Sequence, residues 1–225
     1  MLERCGVTPD YFEQMAPGYE APGRVYYKLT DGEVDAAGLE SRLPIPAGTT
    51  DLDLSRNKIE RIPDGAFAGL AGLVELYLDD NLLTSIAEAT FAGLTALALL
   101  RLGGNLLSAV PTEALSELSA SLTVLHLWGN MLTHIPDGAF AALTQLEELS
   151  LNDNDLTELR RDMLEGLFHG GECSDVQRFK CTKGYLKCSD LGPLSKTADR
   201  NLTYPPSGPA HVLHLIVKIE RARGQ

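Results

Sequence analysis

The frame LxxLxLxxNxLxx(I/V/L) recurs from Leu73, Leu97, Leu122 and Leu146, at steps of 24, 25 and 24 residues. A fixed period of this length decides the fold before any single helix or strand is considered. The extra residue of the middle step falls in "LSELSAS", Leu115 to Ser121. An earlier unit, "TTDLDLSRNKIERIPDGAFAGL", begins on Thr49 where the others have Leu, and keeps Leu52, Leu54, Asn57, Ile59, Ile62, Phe67 and Leu70 in register. The array therefore has five units, from about Thr49 to Leu167. Each closes with a large apolar residue: Phe67, Phe91, Leu115, Phe140 or Leu164.

Strand side chains alternate faces, so the two leucines of "LxL" point inward and the intervening residues outward. One unit cannot bury such a row. Stacked units can, each strand pairing with the next at about 4.8 Å in a continuous parallel sheet. The column Asn57, Asn81, Asn105, Asn130 and Asn154 falls at the bend after each strand. A buried amide there both donates to and accepts from backbone that the turn leaves unpaired, so the column reads as structural.

The units resemble leucine-rich repeats, and "IPDGAFAGL" and "IPDGAFAAL" look like the typical 24-residue subclass of extracellular receptor and matrix proteins. The resemblance implies an α/β leucine-rich-repeat solenoid, a curved right-handed superhelix with a parallel β-sheet on its concave face and flanking caps at both ends. Residues 1–48 are expected to form the N-terminal flank and cap, 49–168 the repeats, and 169–225 a divergent cysteine-containing C-terminal cap or the start of another module. "VDAAGLESRLPIPAGTTDLDLSRN" is similar to the family's N-terminal cap, but Ala36 stands where a cysteine would be expected. "RVYYKLTDGEV" carries an Asp-Gly hairpin signal, and Thr8 with Pro9 could start a short helix. Near the end, "VLHLIVKIE" alternates as a half-buried strand does.

The formal charge of −12 argues against general affinity for nucleic acid or anionic lipid, both of which need clustered Lys and Arg. It is unevenly spread. Residues 169–225 hold nine Lys and Arg against five Asp and Glu, so residues 1–168 carry −16. A protein or peptide ligand, basic or neutral, is the partner this charge favours. No apolar run reaches the roughly 20 residues a membrane helix needs. The start, "MLERCGVTPDYFEQM", does not read as a secretory signal, so the chain is either internal or part of something longer.

The outward strand positions form the concave face: Asp51, Asp53 and Ser55; Glu75, Tyr77 and Asp79; Leu99, Arg101 and Gly103; Val124, His126 and Trp128; Glu148, Ser150 and Asn152. Trp128, the only tryptophan, thus lies outside the leucine core, beside Gly103 of the neighbouring unit. Tyr77, Leu99, Arg101, Val124, His126 and Trp128, with Glu75 and Asp79 at the rim, are the candidate partner-binding residues, because aromatics and Arg anchor interfaces. The competing reading is that Trp128 only covers the Gly103 backbone. The acidic cluster Asp51, Asp53, Glu75, Asp79 and Asp80 reads as a solvated face or a steering field for a basic partner in preference to a calcium site. His126 has only Ser150 near it as a nucleophile, so no catalytic residue is assigned.

Cys173, Cys181 and Cys188 do not match zinc-ligand spacing, and a local disulfide or plain free thiols are favoured over a metal site. No metal or cofactor is expected. Asn201 heads an Asn-Leu-Thr glycosylation acceptor, meaningful only in a secreted chain. The function expected is non-enzymatic protein or peptide recognition through the concave face. Its expected setting is a secreted or surface protein, with an intracellular cytoplasmic scaffold or adaptor as the alternative.

Overall fold

The computed structural model describes residues 23–29, 34, 45–46, 48–151, 153–156, 161–164, 178–181, 184–187 and 216–218. Thr8, Ala36, Asn152, Cys173, Cys188 and Asn201 lie outside the described residues, as do Asp31 and Gly32 of the expected hairpin.

Six short strands run parallel: β1 (Tyr26–Lys28), β2 (Asp51–Asp53), β3 (Glu75–Tyr77), β4 (Leu99–Arg101), β5 (Val124–His126) and β6 (Glu148–Ser150). Their central residues Tyr27, Leu52, Leu76, Leu100, Leu125 and Leu149 align in one buried row. A second buried row, Leu29, Leu54, Leu78, Leu102, Leu127 and Leu151, follows two residues on, and Phe67, Phe91, Leu115 and Phe140 close the core from the far side. Alternation along each strand and stacking between units thus build one continuous core.

The extra residue of the 25-residue step has a local explanation. Leu73, Leu97 and Leu146 each donate their amide to the carbonyl three residues back, whereas Leu122 donates to Leu118, four back. The wider turn follows the only described α-helix, α1 (Thr112–Ser116), in the place where another unit has a 3-10 turn, Glu88–Phe91. The register of Leu122 is preserved because the surplus is absorbed before the strand begins. Thr49 replaces the leading Leu while fully buried, and its hydroxyl is satisfied by donating to Pro46 O at 2.8 Å.

The Asn column ties each unit to the one before it. Asn105 donates through Nδ2 to Leu78 O at 2.9 Å, and to Leu102 O and Gly103 O at 3.1 Å each, while its Oδ1 accepts from Leu83 N at 3.1 Å. Asn57, Asn81, Asn130 and Asn154 accept in the same way from Val34, Ile59, Leu107 and Leu132. The residue preceding each Asn is left-handed: Arg56 (φ 56°), Asp80 (54°), Gly104 (60°), Gly129 (62°) and Asp153 (56°). Gly, Asp and Asn tolerate this conformation best, which accounts for the two Gly-Asn pairs; Arg56 adopts it against its own preference.

Beyond the five expected units, β1 forms a sixth, degenerate one. Leu29 N donates to Asp53 O as Leu54 N does to Tyr77 O, and Val34 holds the place that Ile59 holds one unit later. The described part of the flank is therefore a repeat strand parallel to β2.

At the other end, β9 (Ile216–Lys218) pairs antiparallel with β6, followed by β7 (Arg178–Cys181) and β8 (Gly184–Lys187), giving the order β1-β2-β3-β4-β5-β6-β9-β7-β8. The strand in "VLHLIVKIE" thus covers an edge that would otherwise expose unpaired backbone groups.

Leu125→Ala should lower the unfolding free energy by about 2–5 kcal/mol, through a cavity in a site with no solvent exposure. Asn105→Ala, which strands several buried backbone groups, should cost about 2–4 kcal/mol. Urea denaturation monitored by circular dichroism checks both; a loss below 1 kcal/mol for Asn105→Ala would show that the ladder does not hold the units together.

Candidate partner-binding surface

Register places three outward rows side by side. The first runs Asp51, Glu75, Leu99, Val124 and Glu148, and the second Asp53, Tyr77, Arg101, His126 and Ser150. Two residues further along each unit come Ser55, Asp79, Gly103 and Trp128. The expected patch is brought together, since Tyr77, Leu99, Arg101, Val124, His126 and Trp128 lie on adjoining strands and all are half-buried.

Arg101 is held from two sides. Its guanidinium carbon lies 5.6 Å from the centre of the Tyr77 ring, and its Nε lies 2.7 Å from Asp79 Oδ2. The Nε–H direction misses that oxygen, so the contact is ionic without being a directed hydrogen bond. Asp79 Oδ1 accepts from Gly103 N at 3.0 Å, and the Trp128 indole lies on Gly103 so closely that a Cβ there would fall within 2.7 Å of ring atom Cδ2. Tyr77, Arg101, Asp79, Gly103 and Trp128 therefore form one connected arrangement across three strands. His126 Nε2 approaches Glu148 Oε1 at 3.2 Å.

Apart from Asp80, which is exposed, the acidic cluster differs from the solvated face expected of it. Asp51 and Asp53 are 1% and 8% exposed, and the flank supplies their counter-charges. Arg24 pairs with Asp51 and Glu75, Tyr26 donates to Asp53 Oδ2 at 2.7 Å, and Lys28 Nζ lies 3.4 Å from the same oxygen. Asp79, expected at a partner-facing rim, is only 4% exposed and supports Arg101 from beneath. Its carboxylate is a positioning group. Gly104 likewise serves the left-handed turn, so the room beside the indole comes from Gly103. Ser150 is buried. Sequence reading missed Arg24, Tyr26 and Lys28, and only the sixth strand's register would have found them.

Burial sets the protonation of this face. It pushes the Asp79 carboxyl up to about 6, against the pull of Arg101 and the Gly103 amide. Burial also lowers the His126 pKa, which Glu148 only partly offsets, so the imidazole is neutral at pH 7. Burial alone would raise Asp53 and Glu75, but hydrogen bonds from Ser55 and Tyr26 to Asp53, and from Tyr77 and Arg24 to Glu75, outweigh it and hold both below the usual range. Among the described residues, no group of three or more His, Cys, Asp or Glu is disposed to hold a metal ion. No described helix is long and apolar enough to cross a membrane.

Because folded Asp79 holds its proton more tightly than the unfolded chain does, its stabilising contribution is complete at low pH and is lost as pH rises through about 6. Carbon-detected NMR should place its midpoint near 6, and Asp79→Asn should remove that segment of the stability profile. Gly103→Ala should displace the indole and shift the emission of the only tryptophan to the red, with little loss of secondary structure. Unchanged emission would mean that the indole does not rest there.

The leucine rich repeat family matches residues 47–119 and 120–169. No curated protein matches the chain. Among solved structures, it is similar to a crystal structure of a TLR13–ssRNA13 complex at 33% identity and a TM-score of 0.51, over 54% of this chain and 17% of that one. With six parallel strands in register, an Asn at each bend of the five expected units and a family match over more than half its length, the chain belongs to the leucine-rich-repeat family.

Proposed function

We propose that the chain is a non-enzymatic recognition module that takes a protein or peptide segment across its concave face. The observation that carries this reading is Arg101, half-exposed yet held between the Tyr77 ring and the Asp79 carboxylate, with Leu99, Val124 and Trp128 around it. An anchor already fixed in place loses little conformational freedom on binding, and an apolar centre with Arg and aromatics is how binding energy concentrates. The formal charge of −12 favours a basic or neutral partner.

The solved neighbour is complexed with ssRNA, which supplies a second reading. The charge balance of this chain opposes it, because strand phosphates require a basic track, and Arg24 and Lys28 are already committed to carboxylates. Residues 169–225 serve as the C-terminal cap in this proposal, with β9 on the last repeat strand as its support. The setting is a secreted or surface protein, favoured by the repeat subclass and by Asn201, with a cytoplasmic scaffold as the alternative. Paired cysteines and a sugar on Asn201, read by mass spectrometry of protein from its native source, would distinguish the two.

Peptides selected from a displayed library on the intact chain should lose at least 2 kcal/mol, about 30-fold in affinity, on Trp128→Ala, with an unchanged melting temperature. Equal loss of stability and binding would make Trp128 a structural cover. Selected peptides indifferent to both Trp128→Ala and Arg101→Ala would overturn the concave-face reading, and tight binding of a single-stranded RNA that weakens steeply with salt would replace it.

A further inference from the structure

Four large hydrophobic side chains are exposed among the described residues, and three of them occupy one position in consecutive units: Leu82 (40%), Leu106 (41%) and Met131 (50%). Each immediately follows the ladder asparagine of its unit, off the concave sheet and outside the candidate surface. The same position in the outer units holds Lys58 at one end and Asp155 at the other, both exposed. The row is held by backbone, since Leu82, Leu106 and Met131 each donate their amide at 2.9 Å to the preceding unit. Single exposed hydrophobics need no explanation, but an aligned row on a rigid surface marks a contact site.

We propose that this row is a self-complementary seam on which a second copy of the chain docks antiparallel, about a two-fold axis through Leu106. The arrangement of charge identifies the occupant. Leu106 is the middle of five positions, so reversing the row sets Lys58 against Asp155 at both ends, Leu82 against Met131, and Leu106 against itself. The neighbouring left-handed column obeys the same symmetry. Arg56 faces Asp153 at both ends, and Gly104, at the centre, faces its own copy. Asp80, which lies over Gly104 of its own chain, meets the side-chain-free Gly129 of the copy. A two-fold interface requires that residue i meet j while j meets i; the end pairs of both columns are opposite in charge, and Asp80 meets a residue with no side chain. A parallel alignment would instead place like charges together. The row is about 20 Å long and narrow, at the small end of specific interfaces, so the association is reversible and salt-sensitive.

Sedimentation velocity of the full chain under reducing conditions tests the seam, at low salt and over ~1 µM to ~1 mM. The expected result is a monomer–dimer equilibrium with no higher species. Leu106→Asp, which sets two like charges on the axis, should abolish the dimer, and Leu106→Ser should weaken it about tenfold; unchanged thermal melts show that both fold. Lys58→Asp alone should weaken it about tenfold, and Lys58→Asp combined with Asp155→Lys should restore it, because only the antiparallel pairing brings these positions together. A monomer at every concentration, an open series of oligomers, a dimer indifferent to Leu106, or failure of the double exchange to restore association would each overturn the proposal.

Discussion

An asparagine amide turned back into the backbone at each bend is the interaction on which the rest of the molecule depends. Three-residue strands make too few hydrogen bonds to fix their own neighbours. Asn81, Asn105 and Asn130 add bonds that reach carbonyls in the preceding unit as well as their own, and each accepts an amide that would otherwise be buried unpaired. Register follows from that coupling. With register fixed, every third-row, second-row and first-row side chain has a known neighbour one unit away, and the concave face becomes a grid.

That grid explains how the side chains of the concave face come to hold one another. Tyr77 and Arg101 are register partners, so cation and ring meet without strain. Asp79 takes the ion contact with Arg101 on one oxygen and the Gly103 amide on the other, and Gly103, having no side chain, leaves its surface open to the Trp128 indole. Burying the Asp79 carboxyl penalises its charged form, which is why its pKa is raised. Under the proposed function that penalty lies beside the Arg101 anchor, in line with the tendency of functional sites to carry a local penalty.

Both ends of the array meet the same constraint, that a parallel stack leaves an open edge. At the start, β1 extends the stack by one unit, and Arg24 just before it with Tyr26 and Lys28 within it face carboxylates that would repel one another. At the far end, β9 reverses direction and pairs with β6, so continued parallel addition of strands is blocked. The negative charge read from residues 1–168 is thus partly neutralised within the structure itself.

The sequence by itself determined the period, the inward leucines, the Asn column and the location of Trp128 on a surface row, because each is a local pattern repeated in register and each has one physical reading. The sixth unit was hidden because Tyr27 replaces a leucine and Gly32 stands where the others have Asn, so its frame matches only once Leu29 and Val34 are seen hydrogen-bonded to the next unit. The left-handed column was hidden too, since Arg56, Asp80 and Gly104 share a backbone angle and no side-chain property. Only the tertiary structure decided the fate of the charges. Apolar periodicity reports burial along one strand, whereas the partner of Asp51, Asp53 or Asp79 lies 22 to 27 residues away on another, and a carboxylate exposed by the pattern is buried once that partner is laid against it.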